Sequence, residues 1–335
     1  MMIELRSDTF TKPTKPMLEA MMSAEVGDDV FGEDPTVNAL EDKLAGTLGM
    51  EEGLFCPSGT MANQIGVRVN TQPQDDVICD KNSHVYLYEG GGMMANSGVS
   101  VSLLDGDRGR ITADQVITAL KPDDIHAPVS KLVSVENTMN KGGGSYYDFE
   151  EFKQIRKVVD EHNLNFHLDG ARLFNAVVET GEDAKAYGGV FDTVSICLSK
   201  GLGAPIGSVL LGSKDTMKQA RRVRKVFGGG MRQAGYLAAA GIYALDNHIE
   251  KLKEDHERAR AIGKTLETCS FVTDVMPIDT NILIFSVDNV EDIMGKLTAK
   301  GILGIPFGPN QIRFVTHLDF TDDMLEETVK VLREM

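Results

Sequence analysis

The chain has 335 residues, of which 42% are hydrophobic and 25% are charged, as in an ordinary globular protein with a sizeable core. Its formal net charge of −16 disfavours binding to nucleic acid or to anionic membranes, so we predict neither partner. We find no signal peptide or membrane-spanning stretch, and the four scattered cysteines favour reduced thiols in the cytoplasm over disulfides or a zinc site.

The first clear helix is predicted between Asp34 and Gly49. Asp34 can cap its start, and Gly49 suits the residue after its end. Residues 53–57 then fit a short strand, and Ser58-Gly59-Thr60 opens the next helix. Because the free N–H groups of a helix start attract anions, this turn is a candidate phosphate site, although a plain strand-to-helix turn explains it equally well.

Strands and helices alternate from there to about residue 245. The clearest helix is Asp148–His162, where Asp148 and Glu151 suit a capping box. Further strands are predicted at 76–80, 99–104, 131–136, 165–169, 193–198 and 207–211. This alternation predicts an α/β fold with a mostly parallel, seven-stranded sheet and helices on both faces.

The pattern changes near Asp246. The remaining predicted elements are a charged helix at 248–268, strands at 271–276 and 281–287, a helix at 290–300, a strand at 311–316 and a helix at 321–335. We therefore predict a large α/β domain at 1–245 and a small C-terminal α+β domain at 246–335.

Asp169 and Lys200 each follow a short apolar run that is typical of a buried strand. Ligands of an α/β sheet bind outside the carboxyl ends of its strands, which is where both side chains fall. Pyridoxal phosphate needs such a pair, an acid for its ring nitrogen and a lysine for its Schiff base. Taken alone, however, Asp169 could be a helix cap and Lys200 a solvated loop residue.

Three other side chains are candidates for binding or catalysis. His84 follows a predicted strand and could stack on a flat ring or move a proton, although a lone histidine is more often structural. Arg172 and Arg313 could bind an amino-acid carboxylate bidentately, and Arg313 stands out because it interrupts an apolar strand. The histidines are too scattered to suggest a metal site, and we predict none.

Several ordered motifs together resemble the low-specificity L-threonine aldolases, within the threonine aldolase and β-eliminating lyase group. The motifs are Leu5-Arg6-Ser7-Asp8-Thr9, Val26-Gly27-Asp28-Asp29-Val30, Gly32-Glu33-Asp34-Pro35-Thr36, Pro57-Ser58-Gly59-Thr60, His167-Leu168-Asp169-Gly170-Ala171-Arg172, Leu198-Ser199-Lys200-Gly201-Leu202, Gly228-Gly229-Gly230-Met231-Arg232-Gln233 and Val315-Thr316-His317. The resemblance runs nearly end to end and implies a pyridoxal 5′-phosphate enzyme of the aspartate aminotransferase fold, fold type I. The implied reaction is the cleavage of L-threonine, L-allo-threonine and other β-hydroxy-α-amino acids to glycine and an aldehyde.

The resemblance also implies a role for each matching residue. Lys200 would form the Schiff base, Asp169 would hold the ring nitrogen, and His84 would stack on the ring. Gly59 and Thr60 would hold the phosphate, and Ser7, Arg172 and Arg313 would bind the substrate carboxylate, with Arg172 also beside the cofactor. His126 would lie near the substrate hydroxyl, and Phe31, Lys225 and Arg232 would come from a neighbouring subunit of a homotetramer, a dimer of dimers with shared active sites.

Two departures from the family pattern leave the side-chain preference open: Met139 stands where the family usually has His, and the segment 126–130 differs. Both His84 and His126 remain candidates for the base that takes the hydroxyl proton. The alternatives with the same cofactor are a β-eliminating lyase, a racemase and an aminotransferase. A nucleotide-dependent oxidoreductase is disfavoured because no GxGxxG motif follows the first strand, and a non-catalytic binding protein because the lysine and the arginines are retained.

Overall fold

The computed structural model describes residues 2–335. The strands are β1 (Ile3–Glu4), β2 (Glu52–Cys56), β3 (Asp75–Asp80), β4 (Ser100–Leu104), β5 (Val129–Glu136), β6 (Asn165–Asp169), β7 (Thr193–Cys197), β8 (Ser208–Gly212), β9 (Val272–Val275), β10 (Ile282–Val287), β11 (Ile302–Leu303), β12 (Ile305–Gly308) and β13 (Gln311–Val315). The α-helices are α1 (Lys15–Met22), α2 (Pro35–Leu48), α3 (Gly59–Asn70), α4 (His84–Leu87), α5 (Ala113–Ala119), α6 (Phe149–Glu161), α7 (Leu173–Thr180), α8 (Lys214–Val226), α9 (Gly235–Asn247), α10 (Leu252–Leu266), α11 (Val290–Ala299) and α12 (Asp322–Glu334). Short 3-10 helices occupy Asp8–Phe10, Asp29–Phe31 and Ala184–Gly189, and a π-helical turn occupies Met93–Ser97.

A seven-stranded sheet organises the larger part of the chain, in the order β2-β8-β7-β6-β5-β3-β4. Strand β8 runs antiparallel to both of its neighbours, and the pairs formed by β7, β6, β5, β3 and β4 are parallel. Every residue of β7 is buried because helices cover both faces of the sheet. The predicted α/β class and the mostly parallel seven-stranded sheet are therefore confirmed.

Helix α2 shows how local sequence sets an element of this fold. The Asp34 carboxylate accepts hydrogen bonds from the N–H groups of Thr36 and Val37, both at 3.1 Å. Gly49 ends the helix with φ of 69°, a conformation that glycine adopts without strain. Leu40 and Leu44 are fully buried against the large core, so the predicted helix is confirmed in position and orientation.

The C-terminal part contains a four-stranded antiparallel sheet in the order β12-β13-β10-β9. Helices α10, α11 and α12 contribute apolar residues to its own core, around Phe285 and Phe314. Strand β1 pairs with β11, matching Ile3 with Ile302, and Leu5 packs in the same core. The N-terminal segment is thus built into the C-terminal unit, an arrangement that a division of the chain at 245 does not describe.

Two further observations concern covalent and membrane topology. Cys56, Cys79 and Cys197 are buried, Cys269 is partly buried, and all four thiols are free. Within residues 2–335, no helix combines the length and the apolar character that crossing a bilayer requires.

Candidate active site

Two adjoining cavities open at the carboxyl ends of β6 and β7. The inner cavity has a volume of about 190 Å³ and is lined by Gly59, Thr60, Asn63, His84, Asp169 and Lys200, among others. The outer cavity has a volume of about 350 Å³ and is lined by Ser7, Tyr88, Asn140, Arg172, Phe307 and Arg313, among others. His84 and Lys200 line both, so the two cavities form one continuous site.

Asp169 is held in a fixed orientation at the end of β6. The residue is only 2% exposed, and its Oδ2 accepts a hydrogen bond from Asn63 Nδ2 at 2.8 Å. Asn63 is itself oriented by Ser195, whose hydroxyl donates to Asn63 Oδ1 at 2.5 Å. Backbone N–H of Ala171 donates to Asp169 Oδ1 at 3.1 Å. The carboxylate is therefore preorganised by groups that donate to its oxygens.

His84 lies beside Asp169 and is oriented by two buried carboxylates. Its Nδ1 lies 3.1 Å from Glu89 Oε1, and its backbone N–H donates to Glu136 Oε2 at 2.8 Å. Burial by itself lowers the pKa of His84, but the hydrogen bond to Glu89 and the charges of Asp169 and Glu136 raise the pKa overall. The imidazole is therefore a better proton acceptor than an ordinary histidine, and Nε2 is the nitrogen left for a ligand.

His84, Glu89 and Asp169 place possible ligand atoms within 4.8 Å of one another, a spacing that a metal ion could use. The amide of Asn63 lies between the two acids, however, and donates to Glu89 Oε1 and to Asp169 Oδ2, each at 2.8 Å. Gln64 donates to the second oxygen of Glu89 at 2.6 Å. We interpret the group as a hydrogen-bonded network. The Asn63 amide, a hydrogen-bond donor, lies where a metal ion would have to bind the two carboxylates.

The predicted phosphate turn lines the inner cavity. Helix α3 begins at Gly59, after Ser58, whose side chain accepts a hydrogen bond from the N–H of Met61 at 3.2 Å. Among residues 2–335, the N–H groups of Gly59 and Thr60 find no acceptor. A Cβ at position 59 would lie 2.5 Å from Cys197 Sγ, so only glycine lets the helix start approach β7 this closely.

Two arginines form one wall of the outer cavity. Arg172 donates through Nε and Nη2 to the carboxylate of Asp8, both at 2.7 Å, and both residues are buried. Burial by itself would raise the pKa of Asp8, but the charge and hydrogen bonds of Arg172 hold it well below its ordinary value. Arg313 donates to Asn140 Oδ1 at 2.6 Å and to the carbonyl oxygen of Arg6 at 2.9 Å. Within residues 2–335, its buried Nε has no hydrogen-bond partner.

Phe31, Lys225 and Arg232 lie outside these cavities. Phe31 and Lys225 line a separate surface depression of about 500 Å³, and Arg232 pairs with Asp28 at 2.9 Å. Phe31 is 73% exposed, so most of this aromatic side chain is uncovered in the single chain.

The structure does not bring His126 into the site of its own chain. The side chain is exposed, and its Nδ1 lies 2.7 Å from Asp124 Oδ1. It lines an open depression with Ile125 and Val129. The physical reason is topological: His126 precedes β5, so it lies at the amino end of the parallel strands, whereas Asp169 lies at the carboxyl end.

The sequence predictions missed five residues that build this site: Asp8, Asn63, Glu89, Glu136 and Asn140. A signal existed for Glu136, because it is the last residue of β5 and pairs in register with Asp169. Asn63 lies inside α3 and Glu89 in a turn after α4, and neither position has a pattern that distinguishes it from a structural polar residue.

Comparisons with known proteins find relatives that cover nearly the whole chain. A family model described as beta-eliminating lyase matches residues 4–290. The chain is 44% identical over 329 residues to the low specificity L-threonine aldolase of Escherichia coli, covering 97% of each. It is 36% identical to the low-specificity L-threonine aldolase 1 of Arabidopsis thaliana, covering 99% of this chain and 96% of that one.

Solved structures show the same fold. A threonine aldolase from Leishmania major has a TM-score of 0.86 with 22% identity, covering 99% of each chain. A serine palmitoyltransferase from Sphingomonas wittichii has a TM-score of 0.75 with 16% identity, covering 99% of this chain and 86% of that one. At these identities the likeness concerns the fold, which is that of the predicted aspartate aminotransferase type.

Proposed function

The chain belongs to the beta-eliminating lyase family and, within it, to the low-specificity L-threonine aldolases, and we propose that it cleaves L-threonine and L-allo-threonine to glycine and acetaldehyde. Other β-hydroxy-α-amino acids would give glycine and the corresponding aldehyde. The observation that carries the proposal is that Lys200 and the buried carboxylate of Asp169 line the same cavity. An amine and a buried acid in one enclosed site are the groups that pyridoxal 5′-phosphate requires.

The residues of the inner cavity fit this cofactor. Asp169 would hold a proton on the ring nitrogen, and the free N–H groups of Gly59 and Thr60 would hold the phosphate at the start of α3. Lys200 would supply the amine that bonds the cofactor aldehyde. When bound, the cofactor supplies an electron sink for the pair released from the Cα–Cβ bond.

The outer cavity fits the carboxylate of an amino acid. Arg313 lines this cavity, and its guanidinium has N–H groups beyond the two that Asn140 and Arg6 accept, which can bind a carboxylate. Arg172 and Ser7 line the same cavity and would complete the binding of the carboxylate. Fixing the carboxylate on one side would orient the Cα–Cβ bond toward the cofactor, a positioning effect.

His84 is the base that the geometry favours. Its Nδ1 faces Glu89, so Nε2 can accept the proton of the substrate β-hydroxyl group. The nearby carboxylates of Glu89 and Asp169 would then stabilise the imidazolium that forms. His126 could take part only if it reached the cavity after a loop movement or from another subunit, because it is exposed in this chain.

We propose that the protein acts as a cytoplasmic homotetramer in which paired subunits share active sites. Phe31, Lys225 and Arg232 lie outside the two cavities of their own chain, and Val226 is 82% exposed. A neighbouring subunit seated on this surface would cover the apolar side chains and receive Lys225 and Arg232 near its cofactor phosphate. Four free thiols are consistent with a reducing compartment.

The test of the covalent role uses Lys200→Ala. We expect purified wild-type protein to absorb in the visible range and, after borohydride reduction, to carry the cofactor on the peptide that contains Lys200. Lys200→Ala should lose both the adduct and threonine cleavage. Cleavage at the normal rate by Lys200→Ala, or an adduct on another lysine, would refute the assignment.

Product analysis separates the aldolase from other reactions of the same cofactor. Glycine with acetaldehyde supports the proposal. 2-Oxobutanoate with ammonia would instead indicate β-elimination from threonine. An inverted amino acid would indicate racemisation, and a keto acid that keeps the β-hydroxyl group, formed without ammonia, would indicate transamination.

A further inference from the structure

Glu136, the last residue of β5, joins two parts of the site that are far apart in the sequence. Its Oε2 accepts a hydrogen bond from the backbone N–H of His84 at 2.8 Å, and its Oε1 accepts one from the backbone N–H of Asn140 at 2.9 Å. Both oxygens of one buried carboxylate are therefore used to fix two separate backbone segments.

Asn140 carries this connection on to the outer cavity. While its backbone is held by Glu136, its side-chain Oδ1 accepts a hydrogen bond from Arg313 Nη1 at 2.6 Å. The backbone carbonyl oxygen of Arg6 accepts a hydrogen bond from Nη2 of the same guanidinium at 2.9 Å. Each terminal nitrogen of the guanidinium thus has one acceptor in the chain and a second N–H group left over, and Arg313 lines the outer cavity. The two contacts fix the orientation in which the guanidinium meets a ligand.

The sheet register places Glu136 beside Asp169, its direct partner on β6. Burial and the charge of Asp169 raise the pKa of Glu136 to about 7, so a carboxylate here is costly. If this acid only filled space in the core, an apolar residue could replace it with little loss of stability. The hydrogen bonds that it accepts from two backbone N–H groups offset part of the cost of burying it, and they give it the specific role of holding these two segments.

We propose that Glu136 and Asn140 are positioning residues that fix the carboxylate-binding Arg313 relative to His84 and Asp169. The inference rests on the proposed function, because it assigns the ligand of Arg313 as the carboxylate of an amino acid. Met139, which precedes Asn140, is itself buried against Gly109, whereas Asn140 lines the outer cavity.

The experiment compares two small ligands that differ only in the group that Arg313 would bind. Glycine and glycinamide are titrated into the holoenzyme, and binding is followed by the change in visible absorbance of the bound cofactor. We expect Asn140→Ala to raise the dissociation constant of glycine about tenfold or more, because a hydrogen bond to a charged group is lost. Binding of glycinamide and the cofactor content should change less than about twofold by comparison.

A double-mutant cycle tests whether Asn140 acts through Arg313. If it does, the protein carrying both Asn140→Ala and Arg313→Ala should bind glycine no more weakly than Arg313→Ala alone. Glu136→Gln, which keeps the volume but offers only one acceptor, should weaken glycine binding in the same selective way. Should Asn140→Ala fail to fold, Asn140→Ser provides the same test, since its hydroxyl is too short to reach Arg313.

The outcomes are distinguishable from a failure of the proposed function. Additive losses in the cycle, or equal losses for glycine and glycinamide, would overturn the positioning role while leaving the aldolase assignment intact. A wild-type holoenzyme that binds neither glycine nor the cofactor would overturn both.

Discussion

The ion pair of Asp8 and Arg172 is the most consequential single contact outside the inner cavity. Two parallel hydrogen bonds join these buried residues, and the charges of Lys200 and Arg313 also act on Asp8. Asp8 therefore balances three cations that converge on one cavity. Without it, Arg172 would be an uncompensated buried charge, free to turn away from the ligand.

Asp8→Asn should for this reason lower both stability and substrate affinity. Removing one partner of a buried ion pair typically costs about 3–5 kcal/mol in the free energy of unfolding. We expect KM for threonine to rise more than kcat falls, because binding of the substrate carboxylate in the ground state is weakened. Denaturant unfolding and steady-state kinetics measure the two effects.

The matched control is Lys153→Met, which breaks an exposed pair with Glu150 on helix α6. Exposed ion pairs contribute little, so this variant should be nearly as stable as the wild type and equally active. If Asp8→Asn were no more destabilising than Lys153→Met, the buried pair would not have the importance given to it here.

Asp255 on α10 should make stability depend on pH. Burial, with a smaller contribution from nearby Asp8, raises the pKa of Asp255 to about 8 despite Arg258, whose Nη1 is 3.9 Å away. An unfolded aspartate has a pKa of about 3.9, so the folded state binds this proton more tightly. Folding stability from this group is therefore lost as the pH rises from about 4 to about 8.

Asp255→Asn should gain stability relative to the wild type between pH 5 and pH 8.5, by about 4 kcal/mol, because about three pH units lie between pH 5 and the folded pKa. Thermal unfolding at the two pH values measures the gain. Asp123→Asn, at an exposed loop residue, should shift the midpoint by the same amount at both pH values. A pH-independent difference for Asp255→Asn would show that this carboxyl group is not protonated in the folded protein.

At the residue scale, the sequence was enough to locate a side chain when the topology of the sheet alone determines where that side chain lies. Asp169 and Lys200 follow parallel neighbouring strands, whose carboxyl ends meet at one edge of the sheet. It could not find Asp8 or Asn63 as supporting residues, because their partners lie more than a hundred positions away in the chain. Such pairs are created by tertiary packing, which no local pattern encodes.

At the scale of elements, the start of α3 packs closely against the end of β7. Gly59→Ala should push the helix start away from Cys197, whose sulfur would lie 2.5 Å from the new methyl group. We expect roughly tenfold weaker cofactor binding, the equivalent of about 1.4 kcal/mol, because the N–H groups of the first turn would be displaced. Titration of the apoprotein with cofactor measures the change.

The steric cause can be tested directly by removing the sulfur. Adding Cys197→Ala to Gly59→Ala should recover most of the lost affinity. Gly295→Ala on α11, where nothing lies within 4 Å, should leave cofactor binding unchanged and stabilise the helix by up to about 1 kcal/mol. A double variant that binds no better than Gly59→Ala would rule out the clash with Cys197.

Helices whose sequences contain both a start signal and an end signal could be predicted from the sequence. Very short elements, and helices without a capping residue, could not. Helix α2 has a capping residue, a proline and a terminal glycine, whereas α9 begins without a side-chain cap. Strand β1 has only two residues, too few for any alternation to show. The capping box predicted for α6 is not formed: Asp148 caps the helix, but Glu151 accepts from Ala113 N at 2.8 Å instead. Tertiary contacts override such local preferences.

For the whole molecule, the proposed sharing of active sites predicts complementation between two defective proteins. Lys200→Ala lacks the amine of its own site, and a Lys225→Ala, Arg232→Ala variant lacks the cations proposed to enter the neighbouring site. In a statistical mixture half of the paired subunits are hybrids, and each hybrid has one intact site of two. Coexpression should therefore restore about a quarter of the wild-type activity.

Each parent protein alone serves as the control, and both should be nearly inactive. A mixture no more active than the sum of its parents, although hybrids are isolated by two affinity tags, would show that each subunit supplies its own phosphate-binding cations. The proposed surface around Phe31 would then need another partner.

The position of the first strand has a consequence for biosynthesis. Leu5 donates its N–H to Leu303 and accepts a hydrogen bond from Val315, while Ser7 and Asp8, a few residues on, reach the ligand cavity. During translation residues 5–8 leave the ribosome long before Leu303 and Val315 do. The large sheet can form while the chain is still growing, but the amino-acid pocket can close only once residues 303–315 have also emerged.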